Sequence, residues 1–122
     1  MAVEVQKKLQ KEFENFTNIQ KEFQKAVAQK NQLEGQLNEN KAVKDELMLL
    51  KEDAEVYKLI GPVLIKQDLD EARQNVNKRM EFISKESKRL DDHISALGNK
   101  QEVLQGNISK LKNDLGKMTI KA

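Results

Sequence analysis

The 122-residue sequence contains no cysteine and no tryptophan, only one proline and one histidine, and five glycines. Without cysteine there are no disulfides, no thiolate nucleophile and no cysteine-based metal site, a composition that fits a reducing compartment. A single histidine leaves no ligand set for a transition metal. Aromatic residues make up 4% of the chain, which is sparse for a globular core. No run approaches the roughly 20 apolar residues that span a bilayer. The start, Met1 to Lys8, has no long apolar region behind its lysines and does not read as a signal peptide. An excess of one charge is also missing: 22 Lys and Arg stand against 20 Asp and Glu, for a net charge of +2. Such near-balance serves solubility and gives little reason to expect a polyanion ligand. A catalytic pocket is hard to house in so polar a chain. The expectation is therefore no cofactor, no nucleic acid, no membrane and no enzymatic activity.

What is present is periodicity. Over residues 5–50 apolar side chains recur at Val5, Leu9, Phe16, Ile19, Phe23, Ala26, Leu33 and Leu37, in steps of three, four and seven, and again ten residues on at Leu47. Lys, Glu, Gln and Asn fill the intervals and no proline interrupts, so the segment reads as an amphipathic helix at heptad spacing. Its seam is imperfect: Glu12, Lys30, Asn40 and Lys44 fall on it, at a cost in stability that can fix register. Phe13, Val27 and Val43 lie beside the seam and broaden it.

Residues 69–118 are more regular. Stepping by seven from Leu69 meets Val76, Ile83, Leu90, Leu97, Leu104, Leu111 and Met118, and the companion position carries Met80, Ser87, Ile94, Gln101, Ile108 and Leu115. Seven uninterrupted heptads predict a coiled coil. Asp68 followed by Glu71 has the spacing of a helix N-terminus. Gly98, Gly106 and Gly116 fall outside the apolar seam, each weakening the helix by about 1 kcal/mol relative to alanine. The distal end is expected to fray or bend there.

Between these helices lies Val56-Tyr57-Lys58-Leu59-Ile60-Gly61-Pro62-Val63-Leu64-Ile65-Lys66-Gln67. β-Branched residues on either side of Gly-Pro predict a β-hairpin over residues 56–67, turning at Ile60-Gly61-Pro62-Val63. Residues 51–55 form a polar hinge into it. A buried helical segment is the competing reading, disfavoured by Pro62 and the short run. The expected fold is mainly α: a long antiparallel two-helix coiled coil with a central β-hairpin, spanning residues 1–122 as one domain.

A lone hairpin is marginal in water. Val56, Tyr57, Leu59, Ile60, Val63, Leu64 and Ile65 place apolar groups on both faces, and both edges are free. Edge-to-edge pairing with hairpins of other chains would cover them, forming a sheet or closed barrel from which the helices project. Gly61 and Pro62 serve the turn.

Helix, hairpin and helix in this size resemble the β-type subunits of prefoldin, also called GimC. The resemblance rests on Leu37-Asn38-Glu39-Asn40-Lys41-Ala42-Val43-Lys44-Asp45-Glu46-Leu47, on the whole run from Val56 to Gln67, on Asp68-Leu69-Asp70-Glu71-Ala72 and on Gln6-Lys7-Lys8-Leu9-Gln10. Ile65 replaces the family's usual valine. The resemblance implies a cytoplasmic, non-catalytic co-chaperone subunit in a hexamer of two α-type and four β-type chains, whose hairpins build a β-barrel platform. It further implies that coiled-coil tips capture unfolded proteins, notably nascent actin and tubulin, and pass them to the group II chaperonin. It is similar to one distinct β-type subunit, which implies a eukaryotic hetero-hexamer.

In an antiparallel pairing the candidate client-binding tip is Val5, Leu9, Phe13, Leu111, Leu115 and Met118. A flexible apolar clamp holds irregular apolar surface without sequence specificity, and Met and Phe suit such contacts. Against this stands the plain reading of the same residues as coiled-coil core. A structural adaptor or tether, and a similar complex devoted to other clients, remain alternatives. His93 and the basic residues Lys85, Lys88 and Arg89 read as solvated helix surface, and Asn107-Ile108-Ser109 as an accidental glycosylation sequon.

Overall fold

The structure is a computed structural model, and it describes residues 1–121, with side chains through Met118. Four elements follow in order: α1 (Ala2–Leu49), β1 (Val56–Ile60), β2 (Val63–Gln67) and α2 (Leu69–Lys121). Two long helices thus flank a two-stranded antiparallel sheet, as the periodicity predicts. The chain divides into two compact units, residues 30–89 and residues 1–29 with 90 onward.

In the hairpin unit the seam closes on Leu47, Leu69, Ala72 and Val76, with Val56 and Met80 packed against them. The end of α1, the start of β1 and the start of α2 therefore share one small apolar cluster. Ile83 is buried farther along α2. The Asp68 carbonyl accepts from the Ala72 amide at 2.9 Å, opening α2 where the sequence predicts. Asp70 and Glu71 place negative charge in its first turn, where the helix dipole favours it. Between α1 and β1 the Ala54 amide donates to the Lys51 carbonyl at 2.9 Å, closing a tight turn.

The terminal unit buries Ala26, Leu90, Leu97 and Ile108. Its two segments run antiparallel: Phe13 meets Lys112, and the ring of Phe23 lies 3.9 Å from the Cβ position of Gly98. Leu97 is 1% exposed, the most completely buried large side chain described. Its burial contributes about 1.5–3 kcal/mol. The seam residues Val5, Leu9, Phe16, Ile19 and Phe23 are half-buried, as two helices alone leave one flank of each seam residue to solvent.

One glycine departs from expectation, whereas a Cβ at Gly106 or Gly116 would meet nothing within 4 Å. α2 runs unbroken through all three. Gly98 does not lie outside the packing: it is half-buried beside Leu97 and faces Phe23. A large aromatic on α1 reaches past the seam to the position where α2 has no side chain.

Candidate functional site

The hairpin is built by its register. Val56 pairs with Gln67, Tyr57 with Lys66, Lys58 with Ile65, Leu59 with Leu64 and Ile60 with Val63. Side chains alternate between faces, so Ile60, Val63 and Ile65 share one face and Leu59 and Leu64 the other. Neither face is covered: Leu59 is 68% exposed, Leu64 64%, Val63 54% and Ile60 52%. Each strand has one neighbour, so every second residue points its peptide groups away from the ladder. Val56 is the exception, half-buried in the cluster beneath.

Gly61 alone among the described residues has positive φ, at 57°. With the negative φ that the Pro62 ring imposes, this is the sign pattern of a type II′ turn, whose twist matches the strands. At the open end Glu55 accepts a hydrogen bond from the Tyr57 hydroxyl at 2.9 Å and lies 3.8 Å from Lys66. Tyr57 and Lys66 are register partners, so this carboxylate spans both strands. The groups are exposed, and such an ion pair is weak.

One residue that matters was not singled out by sequence. Arg73 donates from Nε and Nη2 to the Leu47 carbonyl at 3.1 and 3.0 Å, and from Nη2 to the Leu50 carbonyl at 3.1 Å. Asp70 lies 3.8 Å from its Nη1. The last carbonyls of a helix lack intrahelical partners, and α1 has no basic residue in its last turn. Arg73 of α2 supplies that cap from outside and ties the end of α1 to the root of the hairpin. The available signal was an arginine on the α2 seam, between Leu69 and Val76, where an apolar residue is the rule.

Nor did periodicity single out the exposed end of α1, where Met48 is 62% and Leu49 83% exposed. A neighbouring cleft of about 630 Å³ is lined by Val43, Leu47, Val56, Leu59 and Val76. Apolar surface thus continues from the hairpin onto its support.

In the terminal unit an open groove of about 780 Å³ brings together Leu9, Phe13 and Leu115, with Gln6, Gln10 and Thr17 at its sides. Phe13 is 42% exposed, and Lys112 Nζ sits 5.2 Å from its ring centroid, a cation–π contact. Leu111 lies in a different cleft, with Glu12 and Lys110. Val5 and Met118 are half-buried and line neither. Three of the six predicted tip residues therefore share one surface.

Among the described residues no cluster of three or more His, Cys, Asp or Glu is placed to hold a metal, and no helix is long and apolar enough to cross a membrane. His93 is exposed. Arg89 donates to Glu86 at 2.9 Å, and that hydrogen bond, then the carboxylate's charge, raises the arginine's pKa above its ordinary value. The pair is a helix-surface contact.

The comparisons agree with this geometry. The family model described as prefoldin subunit matches residues 10–115. A probable prefoldin subunit 6 of Drosophila melanogaster is 59% identical over 88 residues, covering 72% of this chain and 70% of the relative. Prefoldin subunit 6 of Arabidopsis thaliana is 49% identical over 111 residues, covering 88% and 86%. That of Homo sapiens is 41% identical over 114 residues, covering 93% and 88%. In fold, the chain is similar to the crystal structure of the prefoldin beta subunit from Thermococcus strain KS-1, with a TM-score of 0.56, 24% identity and 91% of each chain covered. With two helices, a hairpin between them and relatives named alike over most of its length, the chain belongs to the prefoldin subunit family of non-catalytic chaperone components.

Proposed function

We propose that this chain is a β-type subunit that joins α-type and other β-type subunits through its hairpin, and that the assembled complex captures unfolded proteins at its coiled-coil tips. Nascent actin and tubulin are the expected clients, the group II chaperonin the recipient and the cytoplasm the compartment. The observation that carries this reading is the hairpin: Leu59, Ile60, Val63 and Leu64 are each more than half exposed on a sheet with two open edges. Apolar side chains and unpaired peptide groups at one place are matched by the same features on a neighbouring strand. The family's barrel-forming habit supplies the kind of partner. At the other functional surface, the Leu9–Phe13–Leu115 groove offers three apolar contacts bordered by Gln6, Gln10, Glu14, Thr17 and Asn18, and open apolar contacts of this kind suit non-native chains. Several such arms held on one platform raise avidity with no new contact.

Native mass after mixing the chain with α-type and β-type partners tests the assembly. A six-chain complex is expected, and it should be lost when Ile60 and Val63 are both replaced by lysine while helical circular dichroism is unchanged. A stable monomer or simple dimer, or an intact complex with the double variant, would overturn the reading and favour a coiled-coil tether.

A further inference from the structure

We propose that Glu12 is a positioning residue for client capture. It keeps the seam of the terminal unit from locking, so that Leu9, Phe13, Leu111 and Leu115 stay available to a non-native chain. The inference rests on the tip-capture reading above.

Glu12 stands on the seam three residues after Leu9 and four before Phe16. Its Oε2 is buried, and it is the buried side-chain oxygen left without a hydrogen-bond partner among the described residues. Around it are Lys8 and Lys11 on its own helix and Asn107, Lys110, Leu111 and Asp114 on the facing one, lining a cleft of about 330 Å³. Two other polar seam residues of α1 are partnered: Asn40 donates to the Gln36 carbonyl at 2.7 Å, and Lys30 lies 3.7 Å from Glu34. Those residues belong to the hairpin unit, whereas the unpartnered oxygen belongs to the terminal unit.

A buried acceptor without a donor favours any opening that lets water reach it. Breathing of the seam around Glu12 solvates this oxygen and uncovers Leu111 in the same cleft, and the Leu9–Phe13–Leu115 groove lies on the same two helix segments. A leucine at position 12 would instead extend the apolar series Val5, Leu9, Phe16 and Ile19 without a gap. The chain thus forgoes stability where apolar surface must be lent to something else. A polar seam residue can also serve only to set helix pairing; in that case tightening the seam leaves capture untouched.

The test uses the assembled complex and compares wild type with Glu12→Leu, Glu12→Ala and Glu12→Gln. Two readouts are taken: amide hydrogen exchange over residues 5–16, and suppression of aggregation of a chemically denatured actin probe. Glu12→Leu should slow exchange about tenfold, the effect of removing one unsatisfied buried polar group, and should lower capture several-fold. Glu12→Ala should move both in the same direction by less. Glu12→Gln keeps a polar seam and should leave capture near wild type. Unchanged exchange in Glu12→Leu, or slowed exchange with full capture, overturns the proposal. Loss of capture in Glu12→Gln without slowed exchange also overturns it, because the charge would then be touching the client. Deletion from Lys112 onward separates the two claims: if it spares capture, the tip reading itself fails, and if it lowers capture while Glu12→Leu does not, Glu12 alone is misassigned.

Discussion

Replacing Arg73 by alanine should loosen the root of the hairpin far more than an average surface substitution. The guanidinium makes three hydrogen bonds to the carbonyls of Leu47 and Leu50, and its side chain is 25% exposed. Hydrogen bonds to a charged donor contribute about 1.5–3 kcal/mol when little exposed. The three share one side chain and two acceptors, so they do not add. A further cost comes from the Leu47 carbonyl, left without its donor beside a buried leucine. The expected loss is about 2–3 kcal/mol of local stability. Hydrogen exchange reads this as a roughly 30- to 150-fold rise in opening around residues 47–56. Exchange in the terminal unit should not change. Arg73→Lys should recover less than half, because an ammonium cannot present the guanidinium's fork to two carbonyls. A rise below about threefold in Arg73→Ala, or full recovery in Arg73→Lys, would refute the idea that a fixed fork closes α1.

Two further substitutions probe backbone conformation. Gly98→Ala should stabilise the terminal unit by about 0.5–1 kcal/mol, since the new methyl meets only Phe23 at an ordinary contact distance of 3.9 Å; thermal melting checks this, and destabilisation would mean that the aromatic needs the gap. Gly61→Ala should destabilise the hairpin by about 1–2 kcal/mol, because φ at this position is +57° with open space around it; faster exchange confined to β1 and β2 is the expected sign.

Much of this molecule is written in its spacing. Leu69, Val76, Ile83, Leu90 and Leu97 step by sevens, and all five are buried. A seven-residue period states which face of a helix turns inward, and two long helices offer little else to decide. The Gly61-Pro62 turn was equally readable, because a glycine before the only proline, amid β-branched residues, admits few backbone paths. Arg73 was not readable. On the heptad it is merely a polar interruption, and its role depends on where α1 ends in space. Gly98 misled for a related reason: a period assigns positions around one axis, while Phe23 reaches from the other. The candidate tip divided similarly. Leu9, Phe13 and Leu115 converge on one groove, but Leu111 turns to the Glu12 cleft, a difference of helix flank that apolarity alone does not encode.

The bare hairpin also governs what happens to surplus copies. A strand pair with leucine on one face, isoleucine and valine on the other and both edges open pairs with whatever strand it meets first. On the assembly proposed above, abundant matching chains fill those edges by mass action. When this chain is made in excess, the same edges are left to each other and to unrelated strands. On the assembly proposed above, a copy made in excess of its partners is expected to leave these ten strand residues uncovered.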